Sequence, residues 1–231
     1  MEIVPGIHQV DGVNGNCFII VRDGLTLIDT GMPKNSAKIV HYIQDILKRE
    51  PTDIKTIVLT HFHIDHVGSA SDLKKLSGAK VAIHKKDADY VAGRKTQPVP
   101  GGAKGMIVKV LMPLFFGSRP VEPDIKLNDG DTIAGLTTIH TPGHTPGSIC
   151  LFDPASKILF AGDLLRFNGS KIEMGPLNLD PGAVQQSINK IAALDFDIML
   201  SGHGIPLRPD ASVKVREFSK RNTQKNGVPG K

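Results

Sequence analysis

Apolar residues come in short aliphatic runs separated by glycine and proline, with helix-period stretches between them. The runs Ile7–Val10, Cys17–Val21, Leu25–Ile28, Thr56–Leu59, Val81–Ile83, Ile125–Leu127, Leu136–His140, Ile149–Phe152, Ile158–Ala161 and Ile198–Leu200 predict strands. Three stretches predict helices. Over 34–48, Ile39, Val40, Ile43, Ile46 and Leu47 recur at helical spacing after Pro33. Over 182–193, Asp180 is the expected cap and Pro181 sits in the first turn. Residues 211–218 predict a last helix. Strands and helices mixed in this order predict an α/β protein with helices covering sheets. No repeat of 20–50 residues is visible.

One stretch breaks the pattern. Gly93–Pro120 has little strand character, and Met106–Met112 is apolar on nearly every side before Leu114, Phe115 and Phe116. It reads as an inserted segment: a buried or dimer-contact helix, or an apolar lid. Met106, Val110, Phe115 and Phe116 are its candidate substrate-pocket residues.

Composition narrows the class. The 231 residues are 40% hydrophobic and 22% charged, enough for a sizeable core. No apolar run approaches the ~20 residues of a membrane span. Met1–Pro5 lacks the basic flank and apolar stretch of an export signal, so a cytoplasmic protein is expected. Cys17 and Cys150 form no CxxC pair and read as buried thiols. Of the net charge of +5, Ser219–Lys231 supplies +4 through Lys220, Arg221, Lys225 and Lys231. The folded domain is therefore assigned to 1–218 and a basic flexible tail to 219–231, with no nucleic-acid or membrane partner expected. The apolar insert leaves room for a homodimer.

The chemistry concentrates at 61–66, His61-Phe62-His63-Ile64-Asp65-His66, delivered by the run ending at Leu59. A lone HxH is often chance on a surface. Three imidazoles and a carboxylate within six residues have the donor types of a zinc site. The same device recurs elsewhere in the chain. Apolar runs lead through glycine-containing turns to His144, Asp163 and His203, and Leu25–Ile28 leads to Asp29. Seven ligand-type side chains suffice for two metals with positions left open for water and substrate, as catalysis requires.

The motifs IDTG (28–31), THFHIDH (60–66), TPGHTPGS (141–148), GD (162–163) and GH (202–203) together resemble the metallo-β-lactamase-fold hydrolase superfamily, in its glyoxalase II-like or lactonase-like branch. The resemblance implies an αβ/βα four-layer sandwich, two mixed β-sheets flanked by helices. It implies that His61, His63 and His144 hold one metal, that Asp65, His66 and His203 hold a second, and that Asp163 bridges them. Asp29 would orient a ligand imidazole by hydrogen bond. The cofactors implied are two divalent ions, Zn2+ first, with Fe or Mn as alternatives. The activity implied is attack on the carbonyl of an ester, thioester, lactone or β-lactam by a dinuclear metal-bound hydroxide, with Asp65 as the catalytic carboxylate and a small molecule as substrate. A mononuclear-iron oxidoreductase of the persulfide dioxygenase type and a phosphoester hydrolase are the competing readings.

Overall fold

The computed structural model describes residues 1–98 and 119–225. The pocket candidates Met106, Val110, Phe115 and Phe116, and most of the predicted insert, lie outside these residues. The chain divides into two compact units, Met1–Leu127 and Asn128–Lys231. No long linker marks the boundary in the sequence; only the short polar run Asn128-Asp129-Gly130-Asp131 stands there.

The first unit holds a mixed seven-stranded sheet in the order β1 (Glu2–Val4), β2 (Ile7–Gln9), β3 (Phe18–Val21), β4 (Leu25–Ile28), β5 (Ile54–Leu59), β6 (Lys80–His84), β7 (Ile125–Leu127). The first four strands form an antiparallel meander, and β4 to β7 are parallel. Parallel strands bring their C-terminal ends to one edge of a sheet. The residues following β4 and β5, Asp29 and Thr60–His66, therefore lie side by side.

Helix α1 (Ser36–His41) runs on into a single π-helical turn, Tyr42–Ile46. The periodicity predicts an unbroken helix over 34–48, and the wider turn explains the difference. Ile39, Tyr42 and Ile43 stay buried at helical spacing. The π turn then carries Ile46, which should continue the apolar stripe, into solvent, where it is 60% exposed. Three short helices complete this unit: α2 (Ile64–Val67), α3 (Ala70–Ser77) and α4 (Ala88–Val91).

The second unit holds a five-stranded sheet ordered β14 (Ile198–Ser201), β11 (Ile158–Gly162), β10 (Ile149–Asp153), β9 (Leu136–His140), β8 (Thr132–Ile133). A separate hairpin pairs β12 (Leu165–Phe167) with β13 (Ile172–Met174). Both β9 and β11 are antiparallel to β10, and β14 is parallel to β11. Hence β9, β11 and β14 all point one way and release His144, Asp163 and His203 at the same edge.

Helix α5 (Pro181–Ala192) begins as predicted: the Asp180 side chain accepts from the Ala183 N–H at 2.9 Å, with Pro181 in the first turn. Its buried stripe of Val184, Ile188 and Ile191 packs into a core with Leu159, Phe196, Met199 and Val215. Helix α6 spans Ala211–Lys225, so the boundary placed at 218 falls inside a helix. Charge was the wrong guide there. Ser219 is buried and donates to Asn189 Oδ1 of α5 at 2.6 Å, which ties the start of the supposed tail to the fold. Among the described residues, no helix is long and apolar enough to cross a membrane.

Two outcomes follow. Asp180→Ala should cost about 1 kcal/mol of stability, measured by urea denaturation; no change would mean that α5 does not depend on this cap. Burial pushes the Cys150 thiol up to about 12 and raises Cys17 well above its ordinary value. A thiol needs its thiolate form to react. Neither cysteine should therefore alkylate in native protein at pH 8, and both should do so in urea, as read by mass spectrometry.

Candidate metal centre

In the first unit one carboxylate organises the histidine-rich turn. Asp29 leaves β4 with φ of 58°, a left-handed conformation that short polar side chains tolerate. Its Oδ1 accepts from the Thr60 N–H at 2.8 Å. Its Oδ2 accepts from the Thr60 hydroxyl at 2.7 Å and from His66 Nδ1 at 2.8 Å. The Thr30 amide and hydroxyl both donate to the His66 carbonyl, at 2.7 and 2.9 Å, and fix the backbone of α2.

These contacts decide where the imidazole protons sit. An ionised carboxylate only accepts, so His66 Nδ1 carries a proton and its Nε2 presents a lone pair. Thr60 has one hydroxyl proton and gives it to Asp29. In its 3.0 Å contact with His61 Nδ1 the hydroxyl oxygen must accept, which leaves His61 Nε2 as the donor atom for a metal. Asp29 thus sets two rings, one directly and one through Thr60. His61 Nε2 lies 3.1 Å from His63 Nδ1, a contact between ring nitrogens that needs a proton or a cation. The Asp65 carboxylate is 3.8 Å from His66 Nε2 and partly exposed. A Cβ on Gly15 would stand 2.0 Å from the Asp65 carbonyl oxygen, so only glycine permits that approach.

In the second unit Asp163 Oδ2 lies 3.6 Å from His144 Nε2 and 3.4 Å from His203 Nε2. His144 and Asp163 are buried, and His203 is half-buried. His144 Nδ1 lies 3.1 Å from Asn178 Oδ1, while Asn178 Nδ2 donates to the Gly175 carbonyl at 2.9 Å. The amide nitrogen being so engaged, its oxygen accepts from His144 Nδ1, and His144 Nε2 is again the atom available to a metal.

The donor set fits divalent ions. A tetrahedral ion with bonds of ~2.0–2.1 Å sets its ligand atoms about 3.3–3.4 Å apart. The separations of 3.1 Å for His61–His63, 3.4 Å for His203–Asp163 and 3.6 Å for His144–Asp163 bracket that edge. The two contacts to Asp163 are long for charge-assisted hydrogen bonds, which run ~2.7–2.9 Å.

The sequence-predicted residues thus fall into two groups. Asp29, His61, His63, Asp65 and His66 cluster in the first unit; His144, Asp163 and His203 cluster in the second. Thr60 stands inside the THFHIDH motif, but the motif assigned it no role. Asn178 carries no motif at all, lying 34 residues from His144. His140, near His144 in sequence, turns its Nε2 to the Pro146 carbonyl at 3.0 Å instead.

The Asp29–Thr60–His61 chain is testable with an isosteric change. Thr60→Val removes the hydroxyl and keeps the Thr60 N–H bond to Asp29. Metal affinity, read by competition with a chelator, should fall ~10–100-fold. Unchanged affinity would show that the hydroxyl does not set the His61 ring.

Comparison with known proteins agrees with this chemistry. Residues 10–203 match the family model of the metallo-beta-lactamase superfamily. A probable metallo-hydrolase of Bacillus subtilis, YflN, is 30% identical, with 89% of this chain and 86% of the relative covered. The human acyl-coenzyme A thioesterase MBLAC2 is 33% identical over 65% of this chain and 57% of its own length. A solved metallo-β-lactamase from Cronobacter sakazakii, described by a HARLDQ motif, superposes with a TM-score of 0.73 at 22% identity, covering 98% of this chain and 93% of its own; that likeness shows the fold. The expected mixed sheets flanked by helices are present, and the chain belongs to the metallo-β-lactamase superfamily.

Proposed function

We propose that these ligand residues bind two divalent ions, Zn2+ first, and that the protein hydrolyses a carbonyl substrate: a thioester, ester, lactone or β-lactam. His61, His63 and His144 would hold one ion and Asp65, His66 and His203 the other, with Asp163 shared. The observation that carries this reading is the fixed protonation of three rings. Asp29, Thr60 and Asn178 each engage an Nδ1 atom, which makes Nε2 the atom that His66, His61 and His144 would offer a metal.

Ions held there would polarise a carbonyl oxygen and lower the pKa of water. The remaining work belongs to side chains. Asp65 is partly exposed and close to His66 Nε2, so its carboxylate can orient the attacking water, accept its proton at an Oδ atom and pass that proton to the leaving group. The burial of His144, His66 and Asp163 keeps bulk water from the ligand atoms and strengthens their electrostatic hold. Thioesters come first among the carbonyl substrates, since a relative named for acyl-coenzyme A thioesterase activity shares 33% identity over 65% of the chain.

The test assays metal-loaded protein on thioesters, lactones, β-lactams and phosphodiesters, with elemental analysis in parallel. Two ions per chain and carbonyl turnover are expected. His63→Ala and Asp163→Ala should each lose metal and turnover together. Phosphodiester turnover far above all carbonyl substrates, or a single iron with sulfur-dependent oxygen uptake, would overturn the proposal.

A further inference from the structure

We infer that Asn178 is a positioning residue for metal binding: its side-chain amide sets the His144 ring and ties that ring to the backbone of Asp163. The inference rests on the metal reading above and goes beyond it to a residue that no motif marks.

The argument follows the chain from 175 to 180. Gly175 stands directly against Asp163, where a Cβ would lie 1.9 Å from the Asp163 carbonyl oxygen. The Gly175 N–H donates to the Leu164 carbonyl at 3.3 Å, which keeps this position beside the ligand. The Gly175 carbonyl accepts from Asn178 Nδ2, and Asn178 Oδ1 accepts from His144 Nδ1. The amide therefore uses both ends, one on the segment packed against Asp163 and one on the ring of His144. Leu179 N–H then donates to the His144 carbonyl at 3.4 Å, and Asp180 N–H to the Gly143 carbonyl at 2.8 Å. Ring and backbone of His144 are thus held from one short segment.

Leu177 strengthens the case. It adopts φ of 59°, a conformation leucine rarely takes, and its side chain is exposed, so burial does not explain the bend. The bonds of Gly175 and Asn178 on either side account for it. An asparagine acting only as a turn former would bond to its own neighbourhood. This one also reaches a buried ring nitrogen 34 residues away.

The acceptor is a neutral amide, whereas the rings of the first unit depend on the Asp29 carboxylate. Only an oxygen acceptor at position 178 is required to keep the His144 Nδ1 proton in place. Asn178→Asp retains that oxygen but loses the Nδ2 donor to the Gly175 carbonyl, and Asn178→Ala removes both.

The experiment titrates Co2+ into the metal-free full chain and both variants. It reads affinity by chelator competition, the visible absorption bands of bound Co2+, and the imidazole Nδ1–H signal of His144 by proton NMR. Asn178→Ala should bind Co2+ ~10–100-fold more weakly, shift the bands and lose the signal. Asn178→Asp keeps the acceptor but not the donor to Gly175, so it should keep the His144 signal and bind Co2+ more weakly than wild type but more tightly than Asn178→Ala. A merely structural role would not separate the two variants in this way. Wild-type affinity and bands in Asn178→Ala, or equal loss in both variants, would overturn the inference and leave the hydrolase reading standing. Failure of the wild-type chain to bind Co2+ would bring down both.

Discussion

The carboxylate of Asp29 is the contact on which the first half of the candidate centre depends. Its two oxygens accept from the Thr60 amide, the Thr60 hydroxyl and His66 Nδ1. Each bond fixes something different: the exit of the chain from β5, the proton on His61 through the threonine, and the proton on His66. The carboxylate is buried, in a setting where an ionised group persists only when fully hydrogen-bonded. Three charge-assisted donors meet that condition, and their number explains why the left-handed backbone at Asp29 is tolerated.

The second half reaches the same chemical end by another route. Behind His144 stands a neutral amide, itself held by a backbone carbonyl. Asp163 lies in front instead, with two Nε2 atoms near one of its oxygens. Both halves share a rule of construction. Strands running in one direction end at one edge of a sheet, and β5, β9, β11 and β14 each lead into a turn that presents a candidate ligand. Sheet topology places the candidate ligands, and side-chain hydrogen bonds fix which ring atom His61, His66 and His144 would offer a metal.

That division explains how much the sequence disclosed. The candidate residues His61, His63, Asp65 and His66 stood out as one dense cluster, and Asp29, His144, Asp163 and His203 because each follows an aliphatic run beside a glycine-containing turn, all local features. The strands around them were legible for the same reason. Thr60 and Asn178 were not, because their roles exist only across distance: Thr60 to Asp29 spans 31 residues and Asn178 to His144 spans 34. The π turn after His41 was hidden because apolar spacing does not report a local change in helical pitch. The end of α6 was hidden because charge suggested a solvated tail, while the decisive contact, Ser219 to Asn189, joins two helices. The short pair β12 and β13 lacks a run long enough to stand out from its loops.

Anomalous diffraction from crystals grown with zinc, recorded on both sides of the zinc edge, tests the central claim that proton placement dictates the ligand atoms. The account predicts zinc peaks ~2.0–2.1 Å from Nε2 of His61, His66 and His144, with the three Nδ1 atoms still on Thr60, Asp29 and Asn178. Zinc bonded through those Nδ1 atoms, or seated away from the three rings, would contradict it.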